Sequence, residues 1–137
     1  MIKVNNSNTP LYKKLGIKEG FNILVLNQPK NYIDFFTDFP QNITITNSCE
    51  NEYFDFIHIF AKTLKELETF FLLAKSSLKK NGTLWVSWHK KTSKIKTELD
   101  KFIIMKYGLS NGLVDTKITS IDENWSGYKF VYRLKDR

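Results

Sequence analysis

The chain has 137 residues, of which 42% are hydrophobic and 15% are aromatic. A chain of this size and composition can bury a core of its own, which excludes disorder as a description of the whole chain. Lysines and arginines number 21 against 14 aspartates and glutamates, a net charge of +7. That charge permits an anionic partner without identifying one. Because both arginines, Arg133 and Arg137, lie in the last five residues, we expect most of the charge to be solvent-exposed lysine.

The sequence also restricts the cellular setting. The single cysteine, Cys49, has no partner for a disulfide within the chain. The N-terminal residues lack the apolar stretch of a signal peptide. The longest apolar run, residues 70–74, is far shorter than the roughly 20 residues needed to cross a bilayer. We therefore expect a cytoplasmic protein with no membrane association.

Strands and helices alternate in the apolar pattern along the chain. Residues 1–8 are polar and are expected to be flexible, and a short helix follows with Thr9 as its N-cap and Pro10 at its first position. Runs dense in aromatic and β-branched residues predict strands, and apolar residues three or four apart predict helices. The predicted strands are 21–27, 43–46, 53–61, 82–88, 113–121 and 128–134, and the predicted longer helices are 30–39, 63–80 and 93–107.

Details of the second half of the chain refine this outline. Gly82 is expected to end the helix that begins at Thr63, in the left-handed conformation. The helix at 93–107 is expected to turn Ile95, Leu99, Phe102 and Ile103 inward. The last two strands are separated by too few residues for a helix, so they should pair as an antiparallel hairpin. We expect one α/β domain over residues 9–137, a sheet covered on both faces.

Three local motifs and the order of elements resemble class I methyltransferases. The motifs are Tyr53-Phe54-Asp55 at the start of a strand, LKKNGTL at residues 78–84, and WSGYKFVYR in the terminal strand. The resemblance implies a three-layer, Rossmann-like, mostly parallel sheet with a C-terminal antiparallel hairpin. It implies the strand order 2-1-4-5-7-6 in the family's numbering. Only a few residues separate the second strand from Tyr53, so we expect the sheet to lack about one βα unit of the family fold. The segments TPLYKKLGIKEG, LWVSWHKK and GLVDTKITSIDENWSGYKFVYR more closely resemble a family of small bacterial proteins with the same fold and no established activity.

The loop after the first strand departs from the methyltransferase pattern. Such enzymes use glycines there to let the backbone approach S-adenosylmethionine, and an acid after the second strand to bind the ribose hydroxyls. Residues 27–30, NQPK, contain no glycine, and Pro29 lacks an N–H donor. Asn47 and Ser48 follow the second strand, and the nearest acid is Glu50. The sequence thus argues against S-adenosylmethionine, and we expect no cofactor.

Ligands of open α/β sheets bind outside the carboxyl ends of the strands. Asn27 is predicted at that edge, as are residues 87–91, at the end of the predicted strand at 82–88. Lysines crowd a predicted helix N-terminus there, and an anion would relieve their repulsion. The alternative is that these lysines point into water, where screening makes the repulsion small. The candidate ligand-binding residues of this segment are Ser87, Trp88, His89, Lys90, Lys91, Thr92 and Ser93.

The turn between the last two strands supplies the remaining candidates, Asp122, Glu123, Trp125 and Ser126. Adjacent carboxylates could act as general acid and base or as ligands of a hard metal ion. The alternatives are a polar turn or an internal attraction to the lysines at 90 and 91. We expect no catalytic residue, and no metal site because one cysteine and two distant histidines match no ligand spacing.

The two histidines have different expected roles. His58 alternates with phenylalanines and is expected to be a hydrogen-bonded core residue, whereas His89 is better placed for chemistry but has no identifiable partner. Trp85 and Trp88 lie three positions apart in a strand, so they should project to opposite faces.

These observations favour a non-catalytic binding or scaffold module that uses the edge around Lys90 and Trp125 for an anionic small molecule or a protein partner. One alternative is a divergent S-adenosylmethionine-dependent methyltransferase. Another is a weak, salt-sensitive nucleic-acid binder, although the usual nucleic-acid motifs are not found. Both a monomer and a homodimer paired through the exposed strand at 43–46 are open.

Overall fold

The computed structural model describes residues 9–30, 32–48 and 53–137. The predictions for residues 1–8, Cys49 and Glu50 lie outside these ranges. Within them, no helix is long and apolar enough to span a membrane. The helices are α1 (Leu11–Leu15), α2 (Leu64–Ser77) and α3 (Lys101–Ser110), and the strands are β1 (Asn22–Leu26), β2 (Thr44–Thr46), β3 (Phe54–Phe60), β4 (Leu78–His89), β5 (Leu113–Ser120) and β6 (Trp125–Tyr132).

The six strands form one sheet in the order β2-β1-β3-β4-β6-β5. β1 pairs in parallel with β2 and β3, and β3 pairs in parallel with β4. β6 is antiparallel to both of its neighbours, β4 and β5. This arrangement confirms the predicted α/β fold class and the strand order implied by the methyltransferase resemblance. The described residues contain no helix between β2 and β3, as expected for a shortened sheet.

Each face of the sheet carries its own core. On one face, Phe71 of α2 and Ile104 of α3 pack in a cluster with Phe130 of β6. On the other face, the cluster contains Leu15 of α1 and Tyr32 of a short 3-10 turn. Trp88 belongs to the first cluster and Trp85 to the second, which confirms that they project to opposite faces.

The predicted helix at 30–39 is only the 3-10 turn Tyr32–Phe35 in the structure. Its aromatic side chains converge on the sheet instead of following a helical stripe: the Tyr32 ring contacts Phe35, Phe36 and Phe60 at centroid distances of 6.1, 5.3 and 5.9 Å. Asp38 then accepts a hydrogen bond from the backbone N–H of Phe39 at 2.9 Å. Such a local side-chain bond competes with helical hydrogen bonding.

The ends of the first two helices differ in detail from the prediction. Pro10, not Thr9, is the N-cap of α1, and Gly16 ends the helix with φ +83°. The predicted left-handed stop at Gly82 is wrong, because α2 ends at Ser77 and the extended Leu78 leads directly into β4. A Cβ on Gly82 would lie 3.0 Å from the backbone oxygens of both Phe54 and Asp55. Glycine is therefore needed there for close approach to β3.

The predicted helix at 93–107 begins eight residues later than expected, at Lys101, with Asp100 as its N-cap. The residues before it bind the start of α2 instead. The Thr97 hydroxyl and the Glu98 N–H both donate to the backbone oxygen of Lys62, at 2.7 and 2.9 Å. The Glu98 carboxylate accepts from the N–H of Leu64 at 2.7 Å. These tertiary hydrogen bonds replace the helical ones that the sequence pattern predicts.

This shift changes which side chains of the segment are buried. Leu99 is buried as predicted, but Ile95 and Phe102 are 43% and 62% exposed. Ile103 is partly buried, and Ile104 is the fully buried residue of α3. The inward orientation predicted for Ile95 and Phe102 is therefore wrong, because the helix on which it depended begins after Asp100.

Candidate functional site

A cleft of about 650 Å³ lies at the carboxyl ends of the parallel strands. The sheet order reverses between β1 and β3, and this switch point is where open α/β sheets bind ligands. The volume is within the usual range for a small-molecule site. The lining residues come from the loop after β1, the ends of β3 and β4, α2 and the β5–β6 turn: Asn27, Gln28, Pro29, Lys30, Ala61, Lys62, Glu66, His89, Ile95, Asn124 and Trp125.

Asn27 shapes the floor of the cleft. Its backbone has φ +58°, in the left-handed region that asparagine occupies more readily than most residues other than glycine. Its side-chain amide donates to the backbone oxygen of Phe60 at 2.8 Å, which joins the ends of β1 and β3 at the switch point. The loop after β1 therefore makes its left-handed turn at Asn27, without a glycine.

A matched pair of variants tests this role of Asn27. Asn27→Gly removes the hydrogen bond to Phe60 but relieves the left-handed strain, so we expect a change in unfolding free energy within about 1 kcal/mol. Asn27→Ala loses the bond and keeps the strain, so we expect a loss of about 2 kcal/mol. Urea unfolding measures both. Equal losses in the two variants would contradict a role for the positive φ.

His89 forms the opposite wall, at the end of β4. Its side chain is 7% exposed, and its ring stacks on Trp125 with centroids 3.8 Å apart and planes 30° apart. The Nδ1 atom is buried and has no hydrogen-bond partner among the described residues. Burial lowers the pKa of His89, opposed by the backbone carbonyl of Asn124. The imidazole is therefore neutral at pH 7 and can accept a proton.

Charged groups give the cleft a positive character. Lys30 and Lys62 both line it, and Lys62 contributes to the lowered pKa of His89. Among the described lining residues the one carboxylate is Glu66, which caps α2: its Oε1 accepts from the N–H of Lys62 at 2.7 Å and of Thr63 at 3.3 Å. The two lysines thus favour an anionic group, such as a carboxylate, on the part of a ligand that lies beside them.

The residues predicted from sequence do not form one site. Asn27, His89 and Trp125 line the cleft. The predicted residues Trp88, Lys90, Lys91 and Ser126 line a separate cavity of about 250 Å³ beside α3. Ser87 is fully buried, Thr92 is exposed, and the Ser93 hydroxyl donates to the Lys90 oxygen at 2.7 Å.

The structure also changes the argument for an anion at the lysine segment. Lys91–Ser93 is a three-residue 3-10 turn, and the helix whose N-terminus the lysines were expected to crowd begins only at Lys101. The helix-dipole premise is therefore wrong, because no α-helix begins in the segment. Ligand binding by these lysines stays a prediction.

The acidic turn has a structural role in the hairpin. The Asp122 carboxylate accepts from the N–H groups of Asn124 and Trp125, both at 2.8 Å, and Glu123 is exposed. The Lys90 ammonium donates to the Ser120 hydroxyl at 2.6 Å. Among the described residues the ion pair that forms is Lys79–Asp55, at 2.9 Å. Neither Lys90 nor Lys91 forms an ion pair with the acidic residues at 122 and 123.

His58 is the satisfied core residue that the alternating pattern predicts. Its Nδ1 lies 2.7 Å from the Tyr32 hydroxyl, and its Nε2 lies 2.6 Å from the Ser87 hydroxyl. All three side chains are buried, and burial lowers the pKa of His58 to about 3. This serine–histidine contact has no access to a substrate, so it stabilises the core and is not a nucleophilic site.

Eight lining residues are not among the candidate ligand-binding residues predicted from the sequence: Gln28, Pro29, Lys30, Ala61, Lys62, Glu66, Ile95 and Asn124. Only Glu66 carries a local signal, since it follows Thr63 by three residues and completes a capping box. Ile95 reaches the cleft only because the segment before α3 is not helical. No local pattern distinguishes Lys30 or Asn124 from other polar loop residues.

No protein-family model and no curated protein matches the chain. Solved structures do match its fold. The ribosomal protein L11 methylase from Lactobacillus delbrueckii subsp. bulgaricus is 10% identical, covers 90% of this chain and 75% of its own, and has a TM-score of 0.59. A TehB-like SAM-dependent methyltransferase from Corynebacterium glutamicum is 10% identical, with coverages of 90% and 85% and a TM-score of 0.58. The fold is that of class I SAM-dependent methyltransferases.

A third similar structure corrects the expectation about the cofactor. The DhpI complex with SAH is 8% identical, covers 85% of this chain and 78% of its own, and has a TM-score of 0.59. A second DhpI structure is a complex with SAM. Binding of an adenosyl cofactor thus occurs on this fold, and the sequence argument against S-adenosylmethionine does not hold.

Proposed function

We propose that the chain is a divergent S-adenosylmethionine-dependent methyltransferase whose cofactor binds in the cleft between the ends of β1 and β3. The observation that carries this proposal is a cleft of ligand size at the switch point of a sheet with the methyltransferase strand order. The same observation favours this function over the non-catalytic binding module expected from the sequence.

The residues of the cleft fit the polar parts of an adenosyl cofactor. Asn27 provides the tight turn after β1, and Lys30 offers a positive charge for a carboxylate. Asn47 and Ser48, after β2 at the same edge of the sheet, have side-chain oxygens that can accept hydrogen bonds from ribose hydroxyls. Pro29 leaves the loop one backbone donor short, so we expect weaker binding than a glycine-rich loop gives.

When bound, S-adenosylmethionine supplies a methyl group on a positively charged sulfur. The chain itself contributes position and shielding. The floor at Asn27 is fixed to β3 by a hydrogen bond, and the stacked rings of His89 and Trp125 form a nearly solvent-free wall across β4 and β6. A rigid, partly dry cleft of this kind holds reacting groups in a fixed orientation.

Calorimetry with S-adenosylhomocysteine, which lacks the sulfonium charge, tests the proposal. We expect saturable binding, and a thermal unfolding midpoint that rises with ligand concentration. Lys30→Glu should weaken binding about fivefold to tenfold, because it replaces an attraction to the ligand carboxylate by a repulsion. Lys106→Glu is the matched control: it makes the same change of charge on exposed α3, outside the cleft lining.

The control separates a local effect from a general one. Lys106→Glu should leave the affinity within about twofold of the unmodified protein, since surface charges at a distance are screened. If both variants lost affinity for S-adenosylhomocysteine equally, the ligand would not bind beside Lys30 in the cleft. Absence of binding at millimolar S-adenosylhomocysteine would reject the proposed function.

A further inference from the structure

His89 has features that cofactor binding alone does not use. It lies at the end of β4, two strands away from β1 in the sheet, so it is roughly 10 Å from the loop that shapes the cofactor end of the cleft. Its Nδ1 is buried near the backbone carbonyl of Asn124, where a ligand in the cleft does not reach it, so the ring nitrogen left to meet a ligand is Nε2.

The groups around His89 favour its neutral form. Burial lowers its pKa most, and Lys62, after β3, lowers it further; the backbone carbonyl of Asn124 and the Asp122 carboxylate, both in the β5–β6 turn, oppose these effects. Across the cleft, Lys30 adds positive charge, and Glu66 is occupied by its capping hydrogen bonds. The ring is thus a weak base that is free to accept a proton at neutral pH.

We infer that His89 accepts the proton released when a neutral hydroxyl or ring N–H group is methylated in this cleft, an inference that rests on the proposed methyltransferase function. The bond from the acceptor heteroatom to the methyl carbon forms while the sulfonium–methyl bond breaks. The electron pair of the broken bond stays on sulfur, and the proton of the heteroatom moves to the imidazole.

The weak basicity of His89 defines the class of acceptor. An imidazole of lowered pKa cannot take the proton of an alkylammonium ion, whose pKa is near 10. A carboxylate acceptor has no proton to lose and would leave His89 without a role. A hydroxyl or ring N–H becomes strongly acidic only as its new bond forms, so a weak base nearby is sufficient.

NMR titration of the two imidazoles tests the inference without turnover. The chain has two histidines, so the His89→Gln variant assigns both signals, and His58, with a pKa of about 3, serves as the non-titrating reference above pH 5. The pKa of His89 is measured in complexes with S-adenosylhomocysteine and S-adenosylmethionine. We expect it to be about 0.5 to 2 units lower with the sulfonium, as for a unit charge roughly 6 Å from the ring.

Each outcome separates the two proposals. If both compounds bind by calorimetry but His89 titrates identically in the two complexes, the ring does not face the methyl group and the inference fails, while the proposed function stands. If neither compound binds, both fail. His89→Gln should still show saturable binding of S-adenosylhomocysteine, because the contacts proposed for the cofactor lie in the loops after β1 and β2. A loss of binding in that folded variant would make His89 a cofactor-positioning residue and would overturn its role as proton acceptor.

Discussion

We expect the free energy of unfolding to fall by about 3 kcal/mol between about pH 6.5 and about pH 4 because of one residue, His58. Burial lowers its folded-state pKa from 6.5 to about 3. Below pH 6.5 the unfolded chain therefore binds a proton that the folded chain excludes. The contribution of His58 to stability is complete above pH 6.5 and is lost as the pH falls toward 3. Urea unfolding at a series of pH values measures this loss.

The hydrogen bonds of His58 explain why a proton is excluded. A neutral imidazole can donate through one nitrogen and accept through the other, which matches its two hydroxyl partners, Tyr32 and Ser87. Protonation would remove the ring lone pair that accepts from one of these hydroxyls and would bury a charge among aromatic rings, such as Phe60 stacked at 4.3 Å.

Two variants isolate the contribution of His58. His58→Gln removes the titration while its amide can still reach a hydroxyl partner, so stability should be lower at pH 7 but nearly independent of pH between 6.5 and 4. His89→Gln should retain most of the slope, because the downward shift in the pKa of His89 is smaller. Equal unfolding free energies of the unmodified protein at pH 6.5 and pH 4 would contradict the exclusion of charge from this core.

Gly108→Ala should destabilise the fold by about 3 kcal/mol, although alanine is ordinarily the better helix former. A Cβ at this position of α3 would lie 2.2 Å from Cε1 of Phe130. The ring cannot move aside easily, because it is fully buried and packs against Phe71 and Tyr128 at 6.2 and 5.1 Å between centroids. The loss is measured by chemical unfolding.

A double-mutant cycle tests the cause of this loss. Phe130→Leu removes the ring atoms that the new methyl group would meet, at its own cost as a large-to-small core change. Gly108→Ala should then be much less harmful in the Phe130→Leu background, with a coupling energy above about 1 kcal/mol. Lys106→Ala, on the exposed side of the same helix, is the control and should change stability by less than about 0.5 kcal/mol. Additive effects at 108 and 130 would contradict the contact.

The fold was largely predictable from the sequence where an element carries its own apolar pattern. The strands at 22–26 and 54–60, the start of α2 and the first strand of the terminal hairpin lie where the pattern places them, whereas β6 begins three residues before the predicted strand at 128–134. Prediction failed where tertiary contacts compete with local ones. The segment before α3 has helical spacing, but its hydrogen bonds to Lys62 and Leu64 are made across more than thirty residues of chain.

The candidate site was less predictable than the fold. The edge of the sheet follows from strand order, so Asn27, His89 and Trp125 could be named. The separation of His89 from Trp88 follows from the alternation of side chains in a strand, but the position of Lys90 could not be predicted, because it lies beyond the end of β4. The positive φ of Asn27 likewise carries no sequence signal.

The sequence by itself determined the α/β class and the buried histidine of β3, which follow from hydrophobic periodicity, a local property. The strand order, and with it the edge at which a ligand would lie, came from the resemblance to class I methyltransferases. Only the tertiary structure decided where α3 begins, that Asn27 takes a left-handed conformation, and that His89 shares a cleft with Lys62. Those outcomes depend on hydrogen bonds and side-chain packing between distant residues, whose free energies exceed the small preferences of local sequence.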